Sequence, residues 1–337
     1  MKCDDCQNGN FSLCKHYSFI GSREQGSNAD YVVIPEQNAV VYDSSISYEQ
    51  AAMFEPSTVA LHGLLQNEYQ GGQYVAVLGG GTIGMFTMQW AKIFGSRKVV
   101  VFDISEERLE LAKRLGADAV INTTKENYMQ EAMALTGKKG YGYVFETAGQ
   151  IPTMHMAFEL AGNKANVCFI GTPHAELTFT PAMWENMNRK EFHLTGSWMS
   201  YSAPFPGKEW ELTAHYFATG QLKFDPGFIY KKVPMSQAQE AFQMFKTPGL
   251  VKGKVLTCKR IVNEWGDSCK MILTVTLNAA IDKRYVVENF RLGEVNRVKE
   301  CAYTPGGKGL NVSKTCSNRR RRSSCHRFCR RPCGKLY

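Results

Sequence analysis

Residues 74–103 read YVAVLGGGTIGMFTMQWAKIFGSRKVVVFD, and the order of residue types dictates a strand, a glycine turn, a helix and a second strand. Tyr74–Leu78 is apolar and β-prone, and it runs straight into Gly79-Gly80-Gly81-Thr82-Ile83-Gly84. Apolar residues on one face predict a helix over 82–94, and Val99–Phe102 predicts a strand capped by Asp103. A lone G-x-G-x-x-G is weak evidence of function, because glycine triplets are common. Here the flanking strand and helix agree with it, and so does an acid 19 residues beyond Gly84. Gly79 permits a tight turn, Gly81 lets backbone approach a pyrophosphate, and Gly84 lets the helix lie close to the strand. The free N–H groups where the helix opens, at Thr82 and Ile83, are donors for phosphate oxygens. Asp103 is placed to accept both adenosine-ribose hydroxyls and to repel a 2′-phosphate, so NAD is favoured over NADP. Arg108, five residues on, is able to meet a phosphate and tempers that preference.

Outward from this unit, strand and helix keep alternating. Further strands are predicted at 119–122, 143–147, 167–171 and 192–196, and helices at 105–115, 125–136 and 151–161. Six strands separated by helices specify an α/β fold with a doubly wound parallel sheet. The turns after two later strands, at Thr147 and at Ile170-Gly171-Thr172, fall where a nicotinamide ring would lie beyond the sheet edge. Ser197 and Trp198, after the sixth strand, join them as cofactor candidates. Upstream, 31–41 has a strand pattern and 48–65 a helical one. Downstream, a helix near 208–219, a strand near 228–232, a helix at 236–246 and a strand at 254–258 complete the unit. Residues 259–270 read as a linker, and a new strand pattern begins at Met271.

Composition narrows the function classes. No apolar run approaches a membrane span, and MKCDDCQNGN is too polar for a signal peptide. A cytoplasmic protein without a membrane partner is expected. The net charge of +9 is concentrated: residues 317–337 carry seven Arg, one Lys and no acid, leaving the rest of the chain at +1. That body has no broad positive field for nucleic acid. Of eleven cysteines, three fall in the first 14 residues and four in the last 22. A chain of this length without a secretory signal is not a disulfide scaffold, so the first cluster reads as metal ligands.

Three segments, FSLCKHYSFIGSREQGSNADYVV (11–33), MFEPSTVALHGL (53–64) and GSWMSYSAPFPGKEW (196–210), together with the glycine turn, resemble the zinc-dependent medium-chain alcohol and polyol dehydrogenases. The resemblance covers about 1–258. It implies a Rossmann domain over 51–198, with 1–50 and 199–258 as remnants of a mostly β, GroES-like catalytic domain. It also implies zinc and NAD as cofactors, a homo-oligomeric parent, and a small sugar-alcohol phosphate as substrate. The implied reaction takes galactitol 1-phosphate to tagatose 6-phosphate. The family's structural zinc lobe is spaced C-x2-C-x2-C-x7-C. Cys3, Cys6 and Cys14 supply its last three ligands, and the first would fall just upstream of Met1. Catalytic zinc in the family is held by a cysteine, a His-Glu pair and sometimes a further Glu, and only Glu55 matches, at that last position. Zinc there would bind the substrate oxygen and lower the hydroxyl pKa during hydride transfer. With Glu55 alone, the chain is expected to bind nucleotide without turning over. His62, seven residues on, reads as a core histidine rather than a ligand.

Residues 271–315 resemble the opening of a ribokinase-like sugar kinase of the 1-phosphofructokinase or tagatose-6-phosphate kinase type. The resemblance rests on TVTLNAAID, GEVNR and TPGGKGLNVSK, with Asn278, Asp282 and the 306–311 run as sugar-phosphate candidates. Residues 316–337 interrupt that pattern and read as a frameshifted tail. With almost no aliphatic side chains, the tail cannot offset an ordering entropy of roughly 1–2 kcal/mol per residue. Competing readings are another sugar-alcohol or threonine dehydrogenase of the same superfamily, and a non-catalytic nucleotide- or nucleic-acid-binding chain using the basic end.

Overall fold

The computed structural model describes residues 3–21, 23–24, 26–29, 32–247 and 249–258, and the backbone of 280–287 and 298–306. Its centre is a six-stranded, wholly parallel sheet of β1 (Tyr74–Leu78), β2 (Lys98–Asp103), β3 (Ala119–Asn122), β4 (Tyr141–Glu146), β5 (Ala161–Phe169) and β6 (His193–Gly196), in the order β3-β2-β1-β4-β5-β6. The helices are α1 (Asp4–Gln7), α2 (Tyr48–Ala51), α3 (Phe54–Gln66), α4 (Thr82–Ile93), α5 (Glu106–Leu115), α6 (Tyr128–Ala134), α7 (Ile151–Leu160), α8 (Pro181–Lys190), α9 (Gly207–Ala218) and α10 (Ala238–Met244).

Parallel strands joined by crossover helices are covered on both faces, and the side chains alternate accordingly. Val75, Val77, Val99, Val101, Tyr143 and Phe145 pack with α3, α4, α5 and α9, while Ala76, Leu78, Val100, Phe102 and Val144 pack with α6 and α7. Trp90 and Phe158, one on each side, are fully buried. Truncating either to alanine would cost about 3–5 kcal/mol. Gly63 lets α3 approach the sheet, since a Cβ there would lie 2.4 Å from Ile170 Cδ1.

Strand order reverses between β1 and β4, and their carboxyl ends open the crevice where such sheets hold ligands. Beyond the sheet, β7 (Ile229–Pro234) and β8 (Lys254–Cys258) form a parallel pair beside that crevice, and β9 (Ala280–Val287) and β10 (Val298–Gly306) an antiparallel pair.

Three differences from the sequence reading have physical causes. The strand expected at 31–41 is absent over its described residues. In its place is a 3-10 turn at Glu36–Asn38, with Val33 and Val41 94% and 92% exposed. No described strand pairs with it, and an apolar alternation without a hydrogen-bonded neighbour does not make a strand. The helix expected at 48–65 is broken at Ala52–Met53, because Pro56 supplies no N–H to the Ala52 carbonyl and its ring clashes with it. Helix α8 was not expected. It starts on Thr180, whose hydroxyl accepts from Met183 N–H, followed by Pro181 in the first turn. The linker at 259–270 and the tail at 316–337 lie outside the described residues, as do most of 271–315 and the tail's expected lack of order.

Candidate functional site

The glycine turn is built as its spacing requires. Gly79 has φ +103°, a left-handed conformation that side chains disfavour. A Cβ on Gly84 would lie 1.8 Å from the Gly79 carbonyl oxygen, so α4 can start this close to β1 only with glycine there. Gly81 is the N-cap of α4, and a Cβ on it would meet nothing within 4 Å, so its backbone faces open space. Thr147 ties the turn to β4. Its N–H donates to Leu78 O at 2.9 Å, and its hydroxyl lies 3.0 Å from both Leu78 O and Gly79 O.

Asp103 closes the end of β2. Its Oδ2 accepts from Gly80 N–H at 2.7 Å and its Oδ1 from Ser105 N–H at 2.8 Å, fixing the carboxylate between the glycine turn and the start of α5. Arg108 Nη1 stands 3.6 Å from Asp103 Oδ2, while Arg108 Nε is buried without a partner. Two neighbouring cavities of about 360 and 200 Å³ share Gly81, Thr82, Arg108, Lys252 and Gly253 as walls. The larger runs along α5 to Phe228 and Tyr230, and the smaller reaches Ile83, Thr147 and Lys254. An open glycine, a helix start and an arginine lining one crevice, with an oriented carboxylate holding the glycine turn, fit a dinucleotide.

The remaining expected cofactor residues lie elsewhere. Ile170, Gly171, Thr172, Ser197 and Trp198 line neither cavity, and Gly79, Gly84 and Asp103 shape the turn without lining either. Ile170 packs on Gly63 of α3. The turn of Gly171 and Thr172 meets the turn after β4, where a Cβ on Gly149 would lie 2.5 Å from Thr172 O. Ser197 N–H donates to Phe169 O at 2.9 Å. Trp198 Nε1 donates to Ser12 O at 3.3 Å and Ser12 N–H to Tyr201 Oη at 3.1 Å, so the segment after β6 is tied to the cysteine lobe.

That lobe wraps Cys3, Cys6 and Cys14 around α1 and a 3-10 turn at Phe11–Leu13. Cys3 Sγ lies 3.5 Å from Cys6 Sγ and 3.7 Å from Cys14 Sγ, and all three sulfurs fall within 4.8 Å of one another. Thiolates at about 2.3 Å from a tetrahedral zinc stand about 3.8 Å apart, so three corners of such a site are in place. Hydrogen bonding splits the trio. Bonds from Cys6 hold the Cys3 thiol below its ordinary pKa, while Cys6, sharing with Cys3 and Cys14, is pushed up to about 11. Among the described residues this is the one group of three or more metal-ligating side chains. Glu55, in the first turn of α3, belongs to no group of three or more metal-ligating side chains among the described residues, and a single carboxylate does not make a catalytic zinc site.

Three residues matter that sequence reasoning did not single out as functional. Glu146, fully buried at the end of β4, accepts from the N–H groups of Ala148 and Gly149 and from Thr153 Oγ1. Burial raises its pKa despite those bonds. The signal was an acid ending the apolar run YGYVFE. Lys254 opens β8 on the smaller cavity; burial pulls its pKa down against the opposing field of Glu55. Glu209 is fully buried in α9, where its Oε1 lies 2.7 Å from His62 Nδ1 and 2.6 Å from Ser202 Oγ. Burial pushes the Glu209 pKa up, but the bonds from His62 and Ser202 outweigh it and the net shift is downward. His62 is therefore the core histidine its sequence position implied, with a charged partner.

A family profile described as zinc-binding dehydrogenase matches residues 82–215. Galactitol 1-phosphate 5-dehydrogenase of Escherichia coli is 34% identical over 254 residues, covering 75% of this chain and 73% of that enzyme. The chain belongs to the zinc-binding medium-chain dehydrogenase family. The crystal structure of the Escherichia coli galactitol-1-phosphate dehydrogenase superposes with a TM-score of 0.68 over 75% of this chain and 73% of that one. A putative zinc-binding dehydrogenase from Sinorhizobium meliloti, solved bound to NADP, is 25% identical with a TM-score of 0.65, over 76% and 72% of the two chains. The members of this family matched here are oxidoreductases, and the parallel sheet is their shared architecture.

Proposed function

We propose that this chain carries the nucleotide-binding half and the zinc lobe of an oxidoreductase that interconverts galactitol 1-phosphate and tagatose 6-phosphate. The observation that carries the reading is the crevice at the β1/β4 reversal, where open Gly81, Thr82 and Arg108 line two cavities and the carboxylate of Asp103 holds the glycine turn. A nicotinamide dinucleotide, when bound, supplies the hydride exchange of the reaction. The chain's own residues bind and orient it. The first-turn N–H groups of α4 at Thr82 and Ile83 receive the pyrophosphate, with the Lys254 ammonium opposing its charge. Asp103 receives the ribose hydroxyls and disfavours a 2′-phosphate, so NAD is preferred. The NADP-bound neighbour has the same fold, so the preference rests on this chain's Asp103 and Arg108. Zinc belongs to the lobe of Cys3, Cys6 and Cys14. Since Glu55 alone does not hold a catalytic ion, no chemical step is assigned to zinc at that position.

The substrate assignment is supported by the 34% identity to the galactitol 1-phosphate enzyme and by the aromatic run 196–210. The division at 50, 198 and 258 belongs to the same proposal. So does the reading of 271–315 as the start of a sugar kinase, which would act on the dehydrogenase's product. The test is calorimetric titration of the purified chain with NADH, then thermal shifts of the NADH complex with galactitol 1-phosphate, sorbitol or threonine. NADH binding and a shift with the polyol phosphate alone are expected. Absence of NADH binding refutes the nucleotide site, and a shift with threonine or sorbitol alone moves the substrate to another branch. Steady-state oxidation of galactitol 1-phosphate by the zinc-loaded chain, abolished in Glu55→Ala, would refute the statement that Glu55 alone cannot support catalysis.

A further inference from the structure

We propose that Glu146 is the positioning residue for the half of the dinucleotide beyond the pyrophosphate, because it joins the three turns on which that half would lie. The inference rests on the nucleotide reading of the crevice and concerns how its far end is built. Strand order places β2, with Asp103, on one side of β1, and β4 and β5 on the other. A dinucleotide whose adenosine ribose meets Asp103 and whose pyrophosphate meets the start of α4 lays its second nucleotide over the ends of β4 and β5. The smaller cavity runs that way, from Gly81 and Thr82 to Thr147.

Glu146 is the last residue of β4, in register with Leu78 of β1 on one side and Phe169 of β5 on the other. Its carboxylate folds under its own turn. Oε1 accepts from Ala148 N–H at 3.0 Å, Gly149 N–H at 2.9 Å and Thr153 Oγ1 at 2.7 Å, and Oε2 from Gly149 N–H at 3.2 Å. Its main-chain carbonyl accepts from Ile170 N–H at 2.9 Å and Gly171 N–H at 3.0 Å, so the turn after β5 hangs on the same residue. A Cβ on Gly171 would collide with Glu146 Oε2 and Gly149 N, so the two turns touch over the carboxylate. The glycine turn is joined through the next residue, Thr147, whose hydroxyl donates to Leu78 O and Gly79 O while it lines the cavity. Water could satisfy the N–H groups of an ordinary surface turn. A buried carboxylate holds them in one place instead, because in a low dielectric each donor loses much by leaving it.

The test compares NADH with ADP, which ends at the pyrophosphate, by calorimetric titration of the full chain as wild type, Glu146→Asp, Glu146→Gln and Thr153→Val. Glu146→Asp keeps the charge but withdraws both oxygens by one carbon. Its NADH affinity should fall about tenfold while ADP stays within about twofold of wild type. Glu146→Gln keeps one acceptor oxygen at full reach and should hold NADH to within about threefold of wild type. Thr153→Val removes one bond to Oε1, leaves the carboxylate in place, and should weaken NADH about threefold with ADP unchanged. It carries the test if Glu146→Asp does not fold. Equal losses of NADH and ADP would mean a general loosening and overturn the inference, as would unchanged NADH affinity in Glu146→Asp or, where that variant does not fold, in Thr153→Val. A Glu146→Gln weaker than Glu146→Asp would put the effect in the charge rather than the reach, and overturns it too. Wild type that binds neither ligand would remove the nucleotide reading itself, a result distinct from NADH binding indifferent to Glu146.

Discussion

At the scale of single residues, the glycine turn shows how little freedom the site has. A methyl group on Gly84 would have to share space with the Gly79 carbonyl 1.8 Å away, a contact with backbone that no side-chain rotation relieves. Gly84→Ala should therefore push α4 off β1. The expected cost is about 1–3 kcal/mol in urea-midpoint stability, with loss of NADH binding. Gly81 has no such neighbour, so Gly81→Ala should keep the fold's stability and weaken nucleotide binding alone. Equal midpoints for wild type and Gly84→Ala would show that the close approach does not matter. Asp103 combines both roles. Its oxygens are held by Gly80 N–H and Ser105 N–H, so Asp103→Ala should weaken NADH binding and narrow the NAD-to-NADP affinity ratio, with Arg108 left to meet a phosphate. Titration of both cofactors checks this, and an unchanged ratio would remove Asp103 from the ribose. These residues were legible in the sequence because backbone geometry demands glycine and an acid at fixed spacing. Lys254 and Glu146 were not. Each is one charged residue in an apolar strand, and only the fold shows which faces a cavity and which lies under a turn.

Among elements, the contact between α3 and α9 carries a charge that sequence periodicity hides. His62 reads as part of an apolar helix face until Glu209, 147 residues away, is brought to 2.7 Å. Pairings at such separation leave no local pattern, which is why the buried pair was missed while the helices around it were not. Glu209→Gln keeps a carbonyl acceptor but removes the charge, and should cost about 1–3 kcal/mol at pH 7. The pH dependence has a definite sign. The folded-state pKa of Glu209 lies below its unfolded value, so its contribution is present above the unfolded carboxylate range and is lost as pH falls through the folded pKa. Glu146, raised by burial, acts in the opposite direction above pH 4.5. The difference between variant and wild type isolates Glu209. Urea midpoints at pH 7 and pH 4 should converge, and a gap that widens toward acid would contradict the assignment. The same locality explains the elements themselves. Five of the six sheet strands carry an apolar run, and all six were legible, although β6 is HLTG and β5 begins at Ala161 rather than near 167. The strand pattern at 31–41 misled because strand formation depends on a neighbour that periodicity does not report.

For the whole molecule, the crevice proposed for the cofactor is assembled from elements that all end by residue 258. The glycine turn, α5, the turn after β4 and the β7–β8 pair are its walls. Residues of β9 and β10 hydrogen-bond as strands only with each other among the described residues. The basic charge is partitioned the same way, +8 in residues 317–337 and +1 in everything before them. Nucleotide recognition and any attraction to polyanions should therefore be separable by cutting the chain once. Deletion of 271–337 should leave NADH affinity within about twofold, a change below roughly 0.5 kcal/mol. It should also abolish whatever salt-dependent DNA binding the full chain shows, since that term scales with the number of phosphates neutralised. NADH titration and DNA binding at two salt concentrations, on both lengths, decide it. If the shortened chain loses NADH, the crevice depends on residues beyond β8. If it keeps DNA binding with the same salt slope, the near-neutral body presents a basic surface that its net charge conceals.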